Sequence, residues 1–201
     1  MKYKFITFEG VEGSGKSTQS KKLYEFLLGK EIDTILTREP GGAKASELVR
    51  NILISEEIEK LEPKTELLLN FSARLEHVEK TIKPALEKNK VVISDRFFDS
   101  SYAYQGNAFG LEKSLIDEVR KISIGDFEPD ITFLIDVPIE ISFERIKNRS
   151  DNNRYEKLGF EFHQKVREGF LQLAKNHNRI ILIDGRKNEK EIFNEIISFL
   201  F

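Results

Sequence analysis

The sequence of 201 residues contains no cysteine, no marked excess of either charge and no long apolar run. The lack of cysteine excludes disulfide bonds and cysteine-based metal sites, which favours a reducing compartment. A net charge of −2 gives no reason to expect nucleic acid as a main partner. Because no apolar run approaches the roughly 20 residues that cross a bilayer, we expect no membrane partner either.

The first residues lead directly into an apolar run at positions 5–8, so we expect no signal peptide. Hydrophobic residues make up 39% of a chain that is long enough for one domain with a sizeable core. No repeat or linker divides the sequence. We therefore expect a single domain over residues 1–201, located in the cytoplasm.

A glycine-rich stretch follows the apolar run and leads into a segment with amphipathic helical spacing at positions 21–28. A strand, a glycine-rich loop and a helix in this order are the context that a phosphate-binding P-loop requires. The alternative is an ordinary glycine-rich turn, which these flanks disfavour. The stretch consists of Gly10, Val11, Glu12, Gly13, Ser14, Gly15, Lys16, Ser17 and Thr18.

Each residue type in this stretch has a chemical reason. Glycines at positions 10, 13 and 15 allow successive backbone N–H groups to point inward around an anion. A helix that begins near Lys16 adds the positive end of its dipole. Lys16 can reach the β- and γ-phosphates, and the Ser17 hydroxyl can bind Mg²⁺. The stretch therefore predicts a nucleoside triphosphate as ligand.

Apolar, β-branched runs alternate with segments of helical spacing along the rest of the chain. The runs lie at residues 3–8, 34–37, 91–94, 131–136 and 180–184. This alternation predicts βαβ units, with strands that are buried on both faces. We expect an α/β fold of the P-loop NTPase type, in three layers, with a five-stranded parallel sheet flanked by helices.

Ligands of such sheets bind beyond the carboxyl ends of the strands, so the residues at those ends are candidate site residues. Arg38 follows the second strand and carries a fixed positive charge. Asp95 follows the third strand and is a candidate for the magnesium shell, although an aspartate there can instead cap a helix. Arg96 adds a guanidinium group whose shape suits phosphate.

A long helical region is predicted at about residues 65–87, with an interruption or bend at Pro84. Arg74 lies on its apolar stripe, so its side chain either extends to solvent or meets a buried partner. The three histidines, His77, His163 and His177, show no metal-ligand spacing. We interpret them as surface or helix-end residues.

After the fourth strand and its helix, residues 147–155 are polar, rich in basic side chains and poor in apolar anchors. Such a segment is expected to be mobile and to close over a ligand as a lid. The alternative is a solvated surface turn. The presence of the P-loop favours the lid, which contains Arg149 and Arg154.

Several blocks together resemble the bacterial thymidylate kinases. They are FEGVEGSGKS at 8–17, TREPGG at 37–42, DR at 95–96, AYQG at 103–106 and GDFEPD at 125–130. They cover nearly the whole chain in the family's order. The resemblance implies transfer of the γ-phosphoryl group of ATP to dTMP, with Mg²⁺, in a cytoplasmic homodimer.

The resemblance also implies residue roles. Lys16 and the loop backbone would hold the ATP phosphates, and Glu12 would meet the 3′-hydroxyl of the acceptor sugar. Arg96 would contact phosphate near the transfer point. The other residues implied on the acceptor side are Arg38, Arg50, Arg74 at a thymine carbonyl, and Ser101, Tyr104 and Gln105 around the nucleoside, where Tyr104 would disfavour a ribose 2′-hydroxyl.

Family members follow two designs, with an arginine either inside the P-loop or in the lid. Gly13 follows Glu12 here, so the loop supplies no arginine, and Arg149 and Arg154 become the candidate catalytic arginines. The family usually has an aromatic residue four positions before the arginine that matches Arg74. Asn70 stands there in this chain, and either Asn70 or the neighbouring Phe71 is the candidate contact to the base.

Two rival functions remain open at this point. One is a P-loop kinase for a different small acceptor, such as another nucleoside monophosphate, which Asn70 supports. The other is a nucleotide-binding regulator or assembly ATPase without an acceptor. The arginines Arg38, Arg50 and Arg74 argue against the second rival.

Overall fold

A computed structural model describes residues 2–55, 57–58, 61–147, 155 and 158–201. Five parallel strands form one sheet in the order β2-β3-β1-β4-β5. The strands are β1 Phe5–Glu9, β2 Thr34–Arg38, β3 Val91–Asp95, β4 Ile131–Asp136 and β5 Ile180–Asp184. All five predicted strands are therefore confirmed, and their bounds differ from the predicted ones by two residues or fewer.

The strand register brings the predicted site residues to one edge of the sheet. Asp95, the last residue of β3, is paired with Phe8 of central β1 and with Arg38 of β2. The P-loop leaves β1 one residue after Glu9. Because all strands are parallel, their carboxyl ends meet at this edge, where ligands of such sheets bind.

Helices cover both faces of the sheet. The helices are α1 Lys16–Gly29, α2 Lys44–Ile54, α3 Pro63–His77, α4 Lys83–Glu87, the short α5 Asp99–Ser101, α6 Lys113–Ser123, α7 Ile139–Ile146, α8 Phe160–Asn176 and α9 Glu189–Leu200. Two π-helical segments, Val78–Ile82 and Tyr102–Ala108, follow α3 and α5. Together with the sheet, they form the predicted three-layer α/β arrangement.

Successive residues of the central strand serve different cores. Ile6 and Phe8 pack with Leu23 of α1 and Ile192 of α9 on one face, and Phe5 packs with α3 and α6 on the other. This alternation follows from the two-residue period of a strand. The edge strands β2 and β5 are only partly covered, so burial on both faces holds for β1, β3 and β4.

The long helical region departs from the predicted bend at Pro84. The irregularity comes earlier, as the π-helical segment Val78–Ile82, and Pro84 lies in the first turn of α4. Proline has no N–H and its ring clashes with the carbonyl four residues before it, so an α-helix cannot run through unchanged. A wider turn ahead of the proline relieves that clash.

In the described part of the chain, no helix is both long and apolar enough to span a membrane.

Candidate active site

The P-loop has the predicted local structure, with β1 before it and α1 beginning at Lys16. Gly10 adopts a φ of 142°, and a Cβ atom there would lie 2.5 Å from the Ile135 carbonyl oxygen. Gly13 and Gly15 also have positive φ values. Only glycine adopts such angles without strain, which is why the loop can turn its N–H groups inward.

Lys16, Ser17 and Asp95 form a polar group at the start of α1. The Lys16 ammonium is buried and donates to the Val11 carbonyl oxygen at 3.2 Å. Burial, together with the nearby Arg96, lowers the pKa of Lys16 below its usual value. The Ser17 hydroxyl donates to one Asp95 carboxylate oxygen. Asp95 does not cap a helix, because the next helix begins at Asp99.

A cavity opens between this group and the elements that follow β2 and β3. Twelve of the predicted site residues line it: Glu12, Gly13, Lys16, Ser17, Arg38, Arg50, Asn70, Asp95, Arg96, Ser101, Tyr104 and Gln105. These residues are far apart in the sequence, and the sheet edge brings them together. We refer to this cavity as the acceptor cavity.

A second cavity lies on the other side of the P-loop. Ser14, Gly15 and Thr18 of the predicted loop line it, with Arg145 and Lys187. Arg145 donates to the carbonyl oxygens of Gly185 at 3.0 Å and Gly13 at 3.4 Å. Arg145 and Lys187 were not among the predicted site residues, since neither belongs to a recognisable motif. We refer to this second cavity as the donor cavity.

Arg96 connects the P-loop to the wall of the acceptor cavity. Its guanidinium donates to Glu12 at 2.8 Å, to the Tyr104 hydroxyl at 3.0 Å and to the Gly10 carbonyl oxygen at 3.0 Å. The backbone of Arg96 has a φ of 71°, in the left-handed region. Such a conformation is strained for arginine and persists only where the surroundings fix it.

Glu12 faces the acceptor cavity as an ionised carboxylate. Burial by itself raises the pKa of Glu12, but the charges of Arg96 and Lys16 and a hydrogen bond from Tyr104 lower it to about 2. The Tyr104 hydroxyl lies 2.8 and 2.7 Å from the two carboxylate oxygens. The carboxylate is thus negatively charged and held in a fixed orientation at neutral pH.

Glu9, the last residue of β1, is a buried acidic residue that the sequence analysis missed. It accepts hydrogen bonds from the Phe97 N–H at 2.8 Å and the Ser100 hydroxyl at 2.6 Å, and so fixes the loop that carries Arg96. Burial raises the pKa of Glu9 to about 7, although Arg96 opposes the shift. Its position directly before the P-loop was the only signal in the sequence.

Arg74 meets a buried partner and does not extend to solvent. Its Nε donates to Glu39 at 2.6 Å, and both side chains are only 3% exposed. The same guanidinium donates to the Ser101 hydroxyl at 3.1 Å and lies 4.4 Å from the centre of the Phe71 ring. Arg74 is therefore fixed by several contacts beside Ser101, which lines the acceptor cavity.

Asn70 and Phe71 point in different directions from α3. Asn70 lines the acceptor cavity and donates to the Glu66 carbonyl oxygen at 2.9 Å, while Phe71 is 1% exposed and packs in the core beneath Arg74. Successive helical residues differ by about 100° around the axis, so the two cannot face the same way.

Of the two alternatives for the histidines, the helix end holds for His77, the last residue of α3, and for His163, in the first turn of α8. Neither is a surface residue, because both are completely buried. His77 lies between the Glu39 carboxylate at 3.0 Å and the Thr37 hydroxyl at 2.7 Å. His177, at the end of α8 and exposed, agrees with its prediction. Histidine is often found in either environment, and the sequence contained no signal that distinguished them.

Arg38 and Arg50 occupy the more open side of the acceptor cavity. Arg38 is paired with Glu47 at 3.1 Å and is 56% exposed. Arg50 donates to the Pro40 carbonyl oxygen at 2.8 Å. Burial and the charge of Arg38 lower the pKa of Arg50 from its usual value. Two like charges thus lie near each other beside the cavity, an arrangement that favours an anionic ligand.

Arg149 and Arg154, and most of the predicted lid at residues 147–155, lie outside the described residues. Tyr155 is described, and it lines the acceptor cavity. Its ring meets the Tyr104 ring edge-on with centroids 5.7 Å apart, and its hydroxyl donates to Glu66 at 3.1 Å. The residue that follows Arg154 in the sequence therefore lines the acceptor cavity.

Comparison with known proteins agrees with this arrangement. A family model described as thymidylate kinase matches residues 8–196. The chain is 45% identical over 200 residues to the thymidylate kinase of Carboxydothermus hydrogenoformans, covering 100% of this chain and 98% of that protein. It is 42% identical over 197 residues to the thymidylate kinase of a Marinomonas species, covering 98% and 93%.

A solved structure is similar as well. The crystal structure of thymidylate kinase from Ehrlichia chaffeensis superimposes with a TM-score of 0.79 at 40% sequence identity, covering 98% of this chain and 97% of that one. The sequence match and the shared P-loop fold extend over the same length of chain. The chain belongs to the thymidylate kinase family.

Proposed function

We propose that this chain acts as one nucleoside monophosphate kinase domain that binds Mg-ATP and dTMP on opposite sides of the P-loop. The family reaction is the phosphorylation of dTMP to dTDP by ATP, and family membership assigns that reaction to this chain. The observation that carries the proposed arrangement is the pair of cavities that share Gly13 of the P-loop. Phosphoryl transfer requires the attacking and leaving oxygens to lie roughly in line through the transferred phosphorus, so donor and acceptor must approach each other from opposite directions.

On the donor side, the loop backbone and Lys16 would hold the ATP phosphates. Arg145 and Lys187 in the donor cavity would lie beside the rest of the nucleotide. A guanidinium group can stack on a base and an ammonium group can meet a phosphate, so both side chains suit a nucleotide. We therefore add Arg145 and Lys187 to the proposed ATP site.

Ser17 and Asp95 are suitable residues for Mg²⁺. Both offer oxygen atoms, which this ion prefers, and Asp95 Oδ1 is buried without a hydrogen-bond partner among the residues that the structure describes. Bound Mg²⁺ would neutralise charge on the phosphates during transfer. The protein's own contribution is to hold the two oxygens at the start of α1.

On the acceptor side, Arg38, Arg50 and Arg96 would bind the dTMP phosphate. Glu12 would accept a hydrogen bond from the 3′-hydroxyl, and the Tyr104 ring would exclude a 2′-hydroxyl. Ser101, Gln105, Asn70 and Arg74 would surround the base, with Phe71 supporting Arg74 from below. The acceptor is a phosphate that is already ionised at neutral pH, so the reaction needs no general base.

A coupled assay with ATP and a panel of nucleoside monophosphates tests the acceptor. We expect dTMP to have the largest kcat/KM, with dUMP as its nearest competitor. A faster reaction with any other monophosphate would support the rival kinase, and rapid ATP hydrolysis without an acceptor would support the rival ATPase. Asn70→Phe should lower KM for dTMP if Asn70 faces the base, because an aromatic ring adds stacking.

Arg149 and Arg154 are proposed as catalytic arginines that stabilise charge in the transition state. Replacing either by alanine should lower kcat more than it raises KM for dTMP. An arginine in such a role contributes about 10³–10⁵ in related phosphoryl-transfer enzymes. Lys113→Ala, at a cation that is 72% exposed on α6, is the matched control. A wild-type kcat in the double variant Arg149→Ala/Arg154→Ala would rule out this role.

We also propose a cytoplasmic homodimer. Exposed apolar side chains on the adjacent helices α2 and α3 support an interface, namely Leu48 at 68%, Ile52 at 41% and Leu68 at 56% exposed. Light scattering should give twice the mass of the 23.3 kDa chain. Leu48→Lys should produce the monomer, while Ile122→Lys, at an exposed position of α6, should leave the dimer intact.

A further inference from the structure

His163 is a completely buried imidazole that the functional assignments above do not use. It lies in the first turn of α8. The rings of Phe143 and Phe162 meet it edge-on, with centroid distances of 5.2 and 5.6 Å and interplanar angles of 84° and 90°. These two contacts fix the plane of the imidazole and therefore the directions of its two nitrogens.

The first nitrogen, Nε2, lies 3.1 Å from the Tyr155 carbonyl oxygen. A carbonyl oxygen can only accept a hydrogen bond, so Nε2 must carry a proton and donate it. Tyr155 lines the acceptor cavity and meets Tyr104 and Glu66 from there. His163 thus anchors the backbone of a residue in the wall of the acceptor cavity.

The second nitrogen, Nδ1, lies 3.7 Å from Glu12 Oε2. Nδ1 is buried and finds no hydrogen-bond partner among the described residues. Burial lowers the pKa of His163, although the Glu12 charge and backbone hydrogen bonds to Tyr155 and Leu158 oppose the shift. The other contacts of Glu12 lie toward Tyr104 and Arg96.

We propose that His163 is a positioning residue for the acceptor cavity, which anchors the Tyr155 backbone through Nε2 and packs its Nδ1 edge beside the Glu12 carboxylate. The inference rests on the proposed function in taking dTMP as the ligand of this cavity. His163 acts only through its two neighbours, because its own side chain is buried. ATP, on the other side of the P-loop, is outside its reach.

Two substitutions separate this role from packing. His163→Phe keeps an aromatic ring between Phe143 and Phe162 but removes both nitrogens. His163→Gln retains an N–H that can reach the Tyr155 carbonyl oxygen. We expect H163F to lower kcat/KM for dTMP by about tenfold, as the loss of one well-formed hydrogen bond does, with KM for ATP unchanged. H163Q should restore most of that loss.

A spectroscopic measurement adds a readout that does not depend on turnover. The chain has no tryptophan, so Tyr155→Trp introduces a single fluorophore into the wall of the acceptor cavity. Added dTMP should change its emission in the presence of His163. In combination with H163F, the emission without nucleotide should shift toward that of a more solvated indole, and the dTMP concentration at half-saturation should rise.

Wild-type kcat/KM for dTMP in a folded H163F variant would overturn the proposal, and so would equal losses in H163F and H163Q. If H163F does not fold, His163→Asn replaces it, since the asparagine amide is too short to reach Tyr155. A wild-type kcat/KM for dTMP in that variant would also overturn the proposal. Failure of the proposed function is distinguishable, because the wild-type enzyme would then not phosphorylate dTMP.

Discussion

The two sides of the P-loop offer different chemical groups, backbone on one side and charged side chains on the other. Toward the donor cavity, the loop offers mainly backbone, shaped by glycines with positive φ at positions 10, 13 and 15. Toward the acceptor cavity, the wall consists of charged side chains that hold one another, such as Arg96 with Glu12 and Arg74 with Glu39. A backbone site depends on local conformation, whereas a side-chain site depends on distant partners.

This difference has an energetic side. Backbone amides need no counter-charge, but a buried guanidinium is tolerated only when a carboxylate and further acceptors surround it. Arg74 has Glu39, Ser101 and the Phe97 carbonyl oxygen as partners. We therefore expect the acceptor wall to lose stability when one carboxylate is lost, and ATP binding to weaken when the backbone geometry of the P-loop or the Lys16 ammonium group is changed.

The largest effect is expected from Lys16→Ala, which removes the one basic side chain of the P-loop. The γ-phosphate loses its charge partner, so kcat should fall by about 10³-fold while the fold remains intact. Steady-state kinetics and thermal unfolding measure the two quantities. Lys21→Ala is the matched control, since Lys21 lies on the same helix and is 70% exposed. A K16A variant with near-wild-type kcat would contradict the assignment of Lys16.

Gly10→Ala tests whether the donor side depends on backbone geometry. The added Cβ would meet the Ile135 carbonyl oxygen at 2.5 Å, at a φ that alanine rarely adopts. We expect the free energy of unfolding to fall by about 3 kcal/mol or more, and ATP affinity to fall with it. Denaturant unfolding and nucleotide titration check both expectations.

Gly29→Ala is the comparison, because a Cβ at Gly29 meets nothing within 4 Å and Gly29 has no positive φ. We expect this variant to be as stable as the wild type or more stable by up to about 1 kcal/mol. Equal losses of stability in the two variants would show that the close contact at Gly10 is not the cause.

Glu39→Gln tests whether the acceptor wall depends on its buried carboxylate. The change leaves the Arg74 guanidinium without an anionic partner at 3% exposure. We expect a loss of about 2–3 kcal/mol in the free energy of unfolding and a higher KM for dTMP, with KM for ATP unchanged. Glu47→Gln is the control, because Glu47 and its partner Arg38 are 40% and 56% exposed, respectively. Its free energy of unfolding should differ from that of the wild type by less than about 0.5 kcal/mol.

The smallest effect concerns the pH dependence that Glu9 contributes. Its pKa is about 7 in the folded chain, against an ordinary value of 4.5. Between these values the native state keeps the proton that the unfolded state releases, so the free energy of unfolding falls as pH rises through this window. The free energy of unfolding of the wild type, relative to that of Glu9→Gln, should fall by about 2 kcal/mol from pH 4.5 to 7 and then level off. A constant difference across this range would rule out the shift.

The contrast between the two sides also explains what the sequence could predict. The P-loop is contiguous, so its strand, loop and helix were identified from neighbouring stretches of sequence and confirmed. The strands β1, β3 and β4 were found because they are buried on both faces and apolar almost throughout, and β2 and β5 because they are also short apolar, β-branched runs. The π-helical segment Val78–Ile82 was missed, because only the proline was visible and not the place where the helix would adapt to it.

In the acceptor wall, Arg38, Asp95 and Arg96 were found because they follow predicted strands. Arg50, Asn70 and the residues around the nucleoside came only from the family resemblance, because they belong to separate elements that no spacing rule connects. Their partners were missed for the same reason, since the burial of Glu9, His77 and His163 follows from tertiary packing. The identity of an acidic residue or a histidine in the sequence does not show whether water or a guanidinium group surrounds its side chain.

The left-handed backbone at Arg96 subjects that position to two opposing demands. Glycine adopts such a φ without strain, whereas the Arg96 guanidinium donates hydrogen bonds to Glu12, Tyr104 and Gly10 together. Replacing Arg96 by glycine would relax the backbone but remove these hydrogen bonds and the proposed phosphate contact. The strained backbone at Arg96 therefore lowers the stability of the fold, and the hydrogen bonds of its side chain are what this loss of stability makes possible.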